Sequence, residues 1–409
     1  MKAFFNVAEL SQVMAYAHRF PAVGTETVTL SECYGRVLAE QVAADMDLPG
    51  FSRSTMDGYA VRAASTFGAS EGNPAFLNVT GDVLMGDVPG MTVHPGEAVR
   101  IPTGAMLPEG ADAVVMIEHT ESLDATTIEV YRSVAPGQHI IEKGEDFTSG
   151  ETILDEGRPI RFQEAGLLAA FGRTHVRVFR KPIVGIISTG DEIVPVDHVP
   201  EMGQIRDINS TTLSGQVQQA GGVAKTYGIV EDTYEAIYDV CRIATAASDM
   251  VLVSGGSSVG ARDFTMDALD HLPDSEILVH GMSLRPGKPT ILARVGSKHV
   301  WGLPGHVVSA MIVFVAVVEP FLKRIGGVRN WEEIGLRLTA RMSRNVASAQ
   351  GRVDFVRVKL RHGEGELWAD PLLAKSGLIH TMVHAEGLVA IGMNEEGLDE
   401  GDIVEVIPL

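Results

Sequence analysis

The chain has 409 residues, 45% of them apolar and 21% charged, which excludes a disordered or fibrous polymer and leaves room for several packed domains. Lysine and arginine number 33 against 53 aspartates and glutamates, a formal charge of −20, which disfavours nucleic acid and anionic membranes as partners. Two cysteines, Cys33 and Cys241, provide neither a disulfide framework nor a zinc motif; both sit in apolar-periodic segments and read as buried thiols.

The N-terminus lacks the continuous apolar core of a signal peptide, so a cytoplasmic protein is expected. Val7, Leu10, Val13 and Met14 fall on one helical face, and Ser31 reads as the N-cap of a second helix running to about Ala43. From Asp47 to Gln138 the texture changes to short β-rich runs, Ala75–Val79, Ala98–Ile101, Ala113–Ile117 and Thr127–Val130, broken by Gly, Pro and Asp. Residues 139–181 return to mixed texture with a helix over Gln163–Phe171. The expected organisation is therefore a discontinuous N-terminal mixed α/β domain (1–46 and 139–181) carrying an inserted small β domain (47–138).

Residues 182–328 alternate between strand-like runs (Ile183–Ser188, Val223–Val230, Asp249–Ser254, Ile277–Val279, Thr290–Val295, His299–Leu303) and helix-like runs (Ser210–Ala220, Thr233–Ala246, Phe264–Leu272, Val307–Arg324). That pattern predicts a largely parallel, doubly wound α/β domain, whose ligands bind at the carboxyl ends of its strands. Val307–Val318 is the most apolar stretch, but it falls short of the ~18 residues a membrane span needs. Glu319-Pro320 is expected to interrupt it, so it reads as a buried core helix. Residues 332–409 return to period-2 alternation (Leu336–Arg341, Asp354–Leu360, Ile403–Ile407), predicting a small β-barrel or sandwich.

Chemistry concentrates at the strand ends of the α/β region. Met250–Ser254 stops at Gly255-Gly-Ser-Ser-Val-Gly260, a strand–loop–helix arrangement whose glycines let backbone approach an anion. The same letters, Gly256-Ser-Ser-Val-Gly260, also fit the G-x-S-x-G elbow of serine hydrolases, with Ser258 as nucleophile. Thr189-Gly-Asp-Glu192 follows the first strand and Glu231-Asp232 the second, and Asp263 ends the glycine loop. Carboxylates beside anion-binding loops conflict unless a cation bridges them, and Mg²⁺ has the required hard oxygen chemistry. Taken alone, Asp232 with Glu235 fits a helix capping box, and Asp263 a first-turn acid. Arg285-Pro-Gly-Lys288 is not a P-loop, but its prolines hold two cations in fixed relation, as an oxyanion clamp would. Leu303-Pro-Gly-His-Val-Val-Ser309 is another strand-to-helix turn. His380 and His384 are spaced i, i+4 in a region that reads as β, so a zinc site there is not expected.

Ser54-Thr-Met-Asp-Gly-Tyr-Ala60, Ile101-Pro-Thr-Gly-Ala105, Gly144-Glu-Asp146, Ser188-Thr-Gly-Asp-Glu192, Ser254-Gly-Gly-Ser-Ser-Val-Gly260, Arg285-Pro-Gly-Lys-Pro289 and Gly302-Leu-Pro-Gly305 occur in this order. In that order they resemble MoeA-type molybdopterin molybdenumtransferases, whose animal relative is the gephyrin E domain. The resemblance spans essentially the whole chain. It implies a four-domain subunit with the α/β molybdopterin-binding domain at 182–328 and a C-terminal β-barrel at 332–409. It also implies a homodimer with its active site at the subunit interface, and transient contacts with the adenylyltransferase and with apo-molybdoenzymes. The implied reaction converts adenylylated molybdopterin and molybdate to molybdenum cofactor, AMP and water, with Mg²⁺.

Carried over by motif, Asp57, Thr103, Asp146, Glu192, Asp232 and Asp263 are catalytic, and Glu192, Asp232 and Asp263 hold the metal. Thr189, Gly190, Ser254, Gly255, Gly256, Ser257, Ser258, Gly260 and Pro304 bind pterin and phosphate. Arg285, Lys288, Ser309, Arg357 and Ser376 line the oxyanion site. Four positions depart from the family: Arg285 replaces its first lysine, Gly281 stands where a further lysine is common, and His306-Val307 replaces Asn-Pro. A molybdopterin adenylyltransferase, a serine hydrolase and a gephyrin-like scaffold are the alternatives.

Overall fold

The computed structural model describes residues 7–255, 264–332, 335–363 and 365–409. They form two compact units. One holds the described residues of Met1–Glu40, Glu156–Arg161 and His175–Leu409; the other holds Gln41–Asp155 and Phe162–Thr174.

In the first unit a six-stranded sheet has the spatial order Val223–Val230, Ile183–Thr189, Met250–Ser254, Lys298–Leu303, Ile291–Val295, Ser275–His280. The first four strands are parallel, and the last two add antiparallel at one edge. The sheet is buried on both faces because its central strands are almost wholly apolar. Val184, Ile186, Met250 and Leu252 pack on one side with Leu213, Val217 and Phe321. Ile187, Val251 and Val253 pack on the other with Ile237, Cys241 and Leu269. Helices Asn209–Gln219 and Val307–Val313 thus cover one face, and Tyr234–Ala247 and Phe264–Asp270 the other. This is the expected doubly wound domain. Its parallel strands bring the turns after residues 189, 230, 254 and 303 to one edge.

Five strands close a β-barrel in the order Val353–Gly363, Glu366–Pro371, Leu338–Met342, Ile403–Pro408, Gly387–Ile391 and back to Val353–Gly363. Its core is Met342, Val358, Ala369, Val389, Ile391 and Val406. The short strand Leu284–Arg285 adds to this sheet in parallel, with Leu284 opposite Val353 and Arg285 opposite Asp354. One segment of the α/β region is thereby stitched to the barrel.

The second unit is built on a six-stranded sheet ordered Ala113–Met116, Gly58–Val61, Glu97–Ile101, Ala75–Asp82, Thr127–Val130, Thr120–Ser122. Its β runs match those expected, and the helix Phe162–Ala170 belongs to the same unit.

Four local expectations are corrected. Ser31 caps no helix extending to Ala43: Thr29 and Glu32 form a capping box on a single 3₁₀ turn, and Val37–Leu38 is a strand. That strand pairs with His175–Phe179, a partner far away in sequence that local periodicity cannot report. Glu319-Pro320 does not interrupt the apolar helix, because a π-helical stretch, Phe314–Val318, precedes Glu319–Ile325 and absorbs the missing proline N–H. His380–Val383 is a short helix rather than part of the β pattern. Asp232 is not the cap of its helix; Thr233 is, its hydroxyl accepting from Ala236 N at 3.4 Å. Among the described residues no helix is long and apolar enough to cross a membrane.

Candidate active site

The edge where the parallel strands end opens into a cavity of about 1580 Å³, whose other wall comes from the barrel and the Leu372–Ser376 turn. This exceeds the roughly 300–1,000 Å³ of ordinary small-molecule sites and leaves space for a nucleotide-sized substrate. Of the expected residues, Thr189, Gly190, Glu192, Asp232, Gly255, Arg285, Lys288, Pro304, Ser309, Arg357 and Ser376 all line it. Ser254 lies just behind, almost fully buried. Gly256, Ser257, Ser258, Gly260 and Asp263 lie outside the described residues.

The carboxylates gather where two neighbouring strands end. Thr189, itself buried, donates from its hydroxyl to Asp232 Oδ1 at 3.3 Å, and Asp191 Oδ1 accepts from Asp232 N at 3.2 Å. Partial burial raises the Asp232 carboxyl above the ordinary aspartate range; the Thr189 bond opposes this, and the Asp191 and Glu192 charges add to it. A carboxylate so placed is relieved by a cation. Glu192 and Asp232 both face the cavity, and Mg²⁺ prefers one or two protein carboxylates completed by water and substrate phosphate. The residues present therefore fit such an ion. No group of three or more potential ligands among the described residues gathers to hold one.

The cations approach from the other elements. Arg285 and Lys288 flank Gly287, whose φ of +124° an L side chain rarely adopts, and any Cβ there would overlap Val313. The turn must therefore carry glycine between its two cations. Arg357 is only 8% exposed, yet it has no carboxylate partner among the described residues: Nη1 donates to Thr381 Oγ1 at 2.7 Å and Nη2 to Ala374 O at 2.9 Å. Its Nε makes no hydrogen bond among the described residues, and burial lowers its pKa. A buried guanidinium bordering a cavity is a strong oxyanion receptor.

Several contacts in the site escaped the sequence reading. Asn209, at the start of its helix, donates from Nδ2 to Ser254 Oγ at 2.6 Å and to Gly305 O at 2.9 Å, tying two strand-end turns together. His306 Nδ1 and Ser376 Oγ are 2.9 Å apart, joining the 303–309 turn to the 372–376 turn. Arg352 and Asp354 also line the cavity. Only His306 carried an advance signal, its departure from the family pattern.

Asp57, Thr103 and Asp146 lie in the second unit. Asp57 Oδ1 accepts from Thr103 N at 2.7 Å and from Thr103 Oγ1 at 2.8 Å, and these bonds hold its carboxyl below the ordinary range. Asp146 is exposed and donates from its backbone N–H to Leu48 O.

Comparison with known proteins places this geometry. Residues 6–172 match the MoeA N-terminal region (domain I and II), 185–324 the probable molybdopterin binding domain, and 339–409 the MoeA C-terminal region (domain IV). A putative molybdopterin biosynthesis protein of Methanocaldococcus jannaschii is 36% identical over 93% of this chain and 91% of its own length. The molybdopterin molybdenumtransferase of Bacillus subtilis is 33% identical over 94% of this chain and 89% of its own. A crystal structure of the molybdopterin biosynthesis MoeA protein of Pyrococcus horikoshii, 31% identical, superposes with a TM-score of 0.86 over 99% of this chain and 100% of that one. The chain belongs to the MoeA family of molybdopterin molybdenumtransferases.

Proposed function

We propose that this enzyme inserts molybdenum: it converts adenylylated molybdopterin and molybdate to molybdenum cofactor, AMP and water, with Mg²⁺. The observation that carries the reading is one large cavity lined both by the paired carboxylates Glu192 and Asp232 and by the cations Arg285, Lys288 and Arg357. A phosphate anhydride and a tetrahedral oxyanion need the cations, and a divalent metal needs the carboxylates.

Glu192 and Asp232 would hold Mg²⁺, joined by Asp263 from the glycine loop. When bound, the ion would neutralise the anhydride and favour loss of AMP. Thr189 orients Asp232, which keeps one carboxylate oxygen directed by a fixed donor. Gly190, Gly255 and Pro304 offer backbone to pterin and phosphate, with the nearly buried Ser254 beside them, and Gly256, Ser257, Ser258 and Gly260 are proposed as further binding residues. Arg357, Arg285 and Lys288, with the Ser309 and Ser376 hydroxyls, hold molybdate. Asp57, Thr103 and Asp146 are proposed as further catalytic residues. The same reading includes the four-part domain division, a cytoplasmic homodimer with its site at the subunit interface, and transient delivery contacts with the adenylyltransferase and apo-molybdoenzymes.

Omission experiments test it. AMP release from adenylylated molybdopterin is expected to require both molybdate and Mg²⁺; release unaffected by leaving out either would overturn the reading. Consumption of ATP and unmodified molybdopterin would instead favour an adenylyltransferase. Stoichiometric labelling of Ser258 by a fluorophosphonate would favour the hydrolase. Sedimentation velocity tests the dimer.

A further inference from the structure

Asp354 is a buried carboxylate at the cavity wall, its side chain 8% exposed. It is shared by two guanidiniums: Arg352 Nε donates to Oδ1 at 2.7 Å and Nη2 to Oδ2 at 3.4 Å, and Arg285 Nη1 donates to Oδ2 at 3.4 Å. The strand register explains the arrangement. Arg285 stands opposite Asp354 where Leu284–Arg285 joins the barrel sheet, and Arg352 precedes the same barrel strand. Both arginines line the cavity and keep solvent-facing surface, with side chains 63% and 36% exposed.

One carboxylate between two guanidiniums leaves a net positive charge, with N–H groups on both sides that Asp354 does not use. A planar guanidinium can bond one carboxylate and still present a second edge to another oxyanion, which an ammonium cannot do with fixed geometry.

We propose that Arg352 is a further oxyanion-binding residue of this cavity, and that Asp354 is a positioning residue that aims Arg352 and Arg285 together at one tetrahedral oxyanion. The ligand chemistry is a phosphate or a molybdate-like anion. The proposal deepens the insertase reading and rests on it.

The test uses the full-length protein, with molybdate alone and AMP alone as separate calorimetric probes, followed by steady-state turnover. Arg352→Ala is expected to weaken one probe roughly tenfold or more and raise the corresponding KM, with kcat changed far less. Whichever probe weakens identifies the anion as free molybdate or as the nucleotide phosphate. Arg352→Lys should recover only part of the loss. Asp354→Asn should weaken the same probe, and the double variant Arg352→Ala/Asp354→Asn should be no worse than the sum of the singles. Wild-type affinity for both probes in Arg352→Ala, with turnover intact, would overturn this inference and leave the insertase reading standing. Wild-type protein that neither binds the probes nor turns over would overturn that reading instead.

Discussion

Gly255 is the position where a single added methyl should do most damage to the site. It follows the strand Met250–Ser254 at φ +115°, a region that disfavours L side chains by about 1–2 kcal/mol. A Cβ there would overlap the carbonyl oxygen of Thr189 and come within 3.0 Å of its carbon. Neither partner can easily yield. Ser254 is paired in register with Ser188 on one side and Leu303 on the other, and Thr189 is paired with Val230. Overpacking of this kind costs about another 1–3 kcal/mol, so Gly255→Ala should lose about 2–5 kcal/mol in all. At about 2 °C per kcal/mol in a large domain, the melting temperature should fall by about 4–10 °C. Displacing Thr189 also moves the donor to Asp232, so molybdenum insertion should fall more steeply than the folded fraction does. Differential scanning calorimetry and AMP release, both measured below the variant's transition, test the two parts. A variant with unchanged melting temperature and full turnover would refute the close-packing argument.

Other outcomes follow from the charges. The Asp232 carboxyl is raised in the fold, so its neutral form contributes stability that is present at low pH and lost as pH rises through the folded-state value. Asp232→Asn should therefore raise the melting temperature at pH 7 without metal, gain little in acid, abolish the stabilisation expected on adding Mg²⁺ to the wild type, and lose turnover. An unchanged melting temperature at pH 7 would contradict the assigned environment. Glu192→Ala should abolish AMP release with its circular dichroism spectrum intact; retained activity would remove Glu192 from the site. His299 is fully buried, accepts from Trp301 Nε1 at 2.8 Å, and is pushed down to about 3 by burial. The unfolded chain takes up a proton near the ordinary histidine value, so stability should decline as pH falls from there towards 3, by a few kcal/mol at most. His299→Gln should flatten that part of a urea-denaturation pH series.

What the sequence revealed, and what it hid, divides by the range of the interactions. The α/β alternation was legible because Ile183–Thr189 and Met250–Ser254 are nearly continuous apolar runs closed by glycine turns. Helix Tyr234–Ala247 was legible for its local periodicity, yet its cap was misread, because Asp232 and Thr233 are both good capping residues. The strand Val37–Leu38 was hidden because its partner lies some 140 residues on. Thr189, Glu192, Asp232, Arg285, Lys288, Arg357 and Ser376, which the resemblance grouped, line one cavity. The Asn209 clamp and the Arg285–Asp354–Arg352 cluster were not legible, since each joins turns distant in sequence whose residues are ordinary taken singly.

The most direct measurement supplies the purified protein with adenylylated molybdopterin, molybdate and Mg²⁺ and follows AMP release beside activation of an apo-molybdoenzyme. Equimolar AMP and delivered molybdenum are expected, both abolished in Glu192→Ala. AMP release without molybdenum delivery, or delivery that does not require the adenylylated substrate, would contradict it.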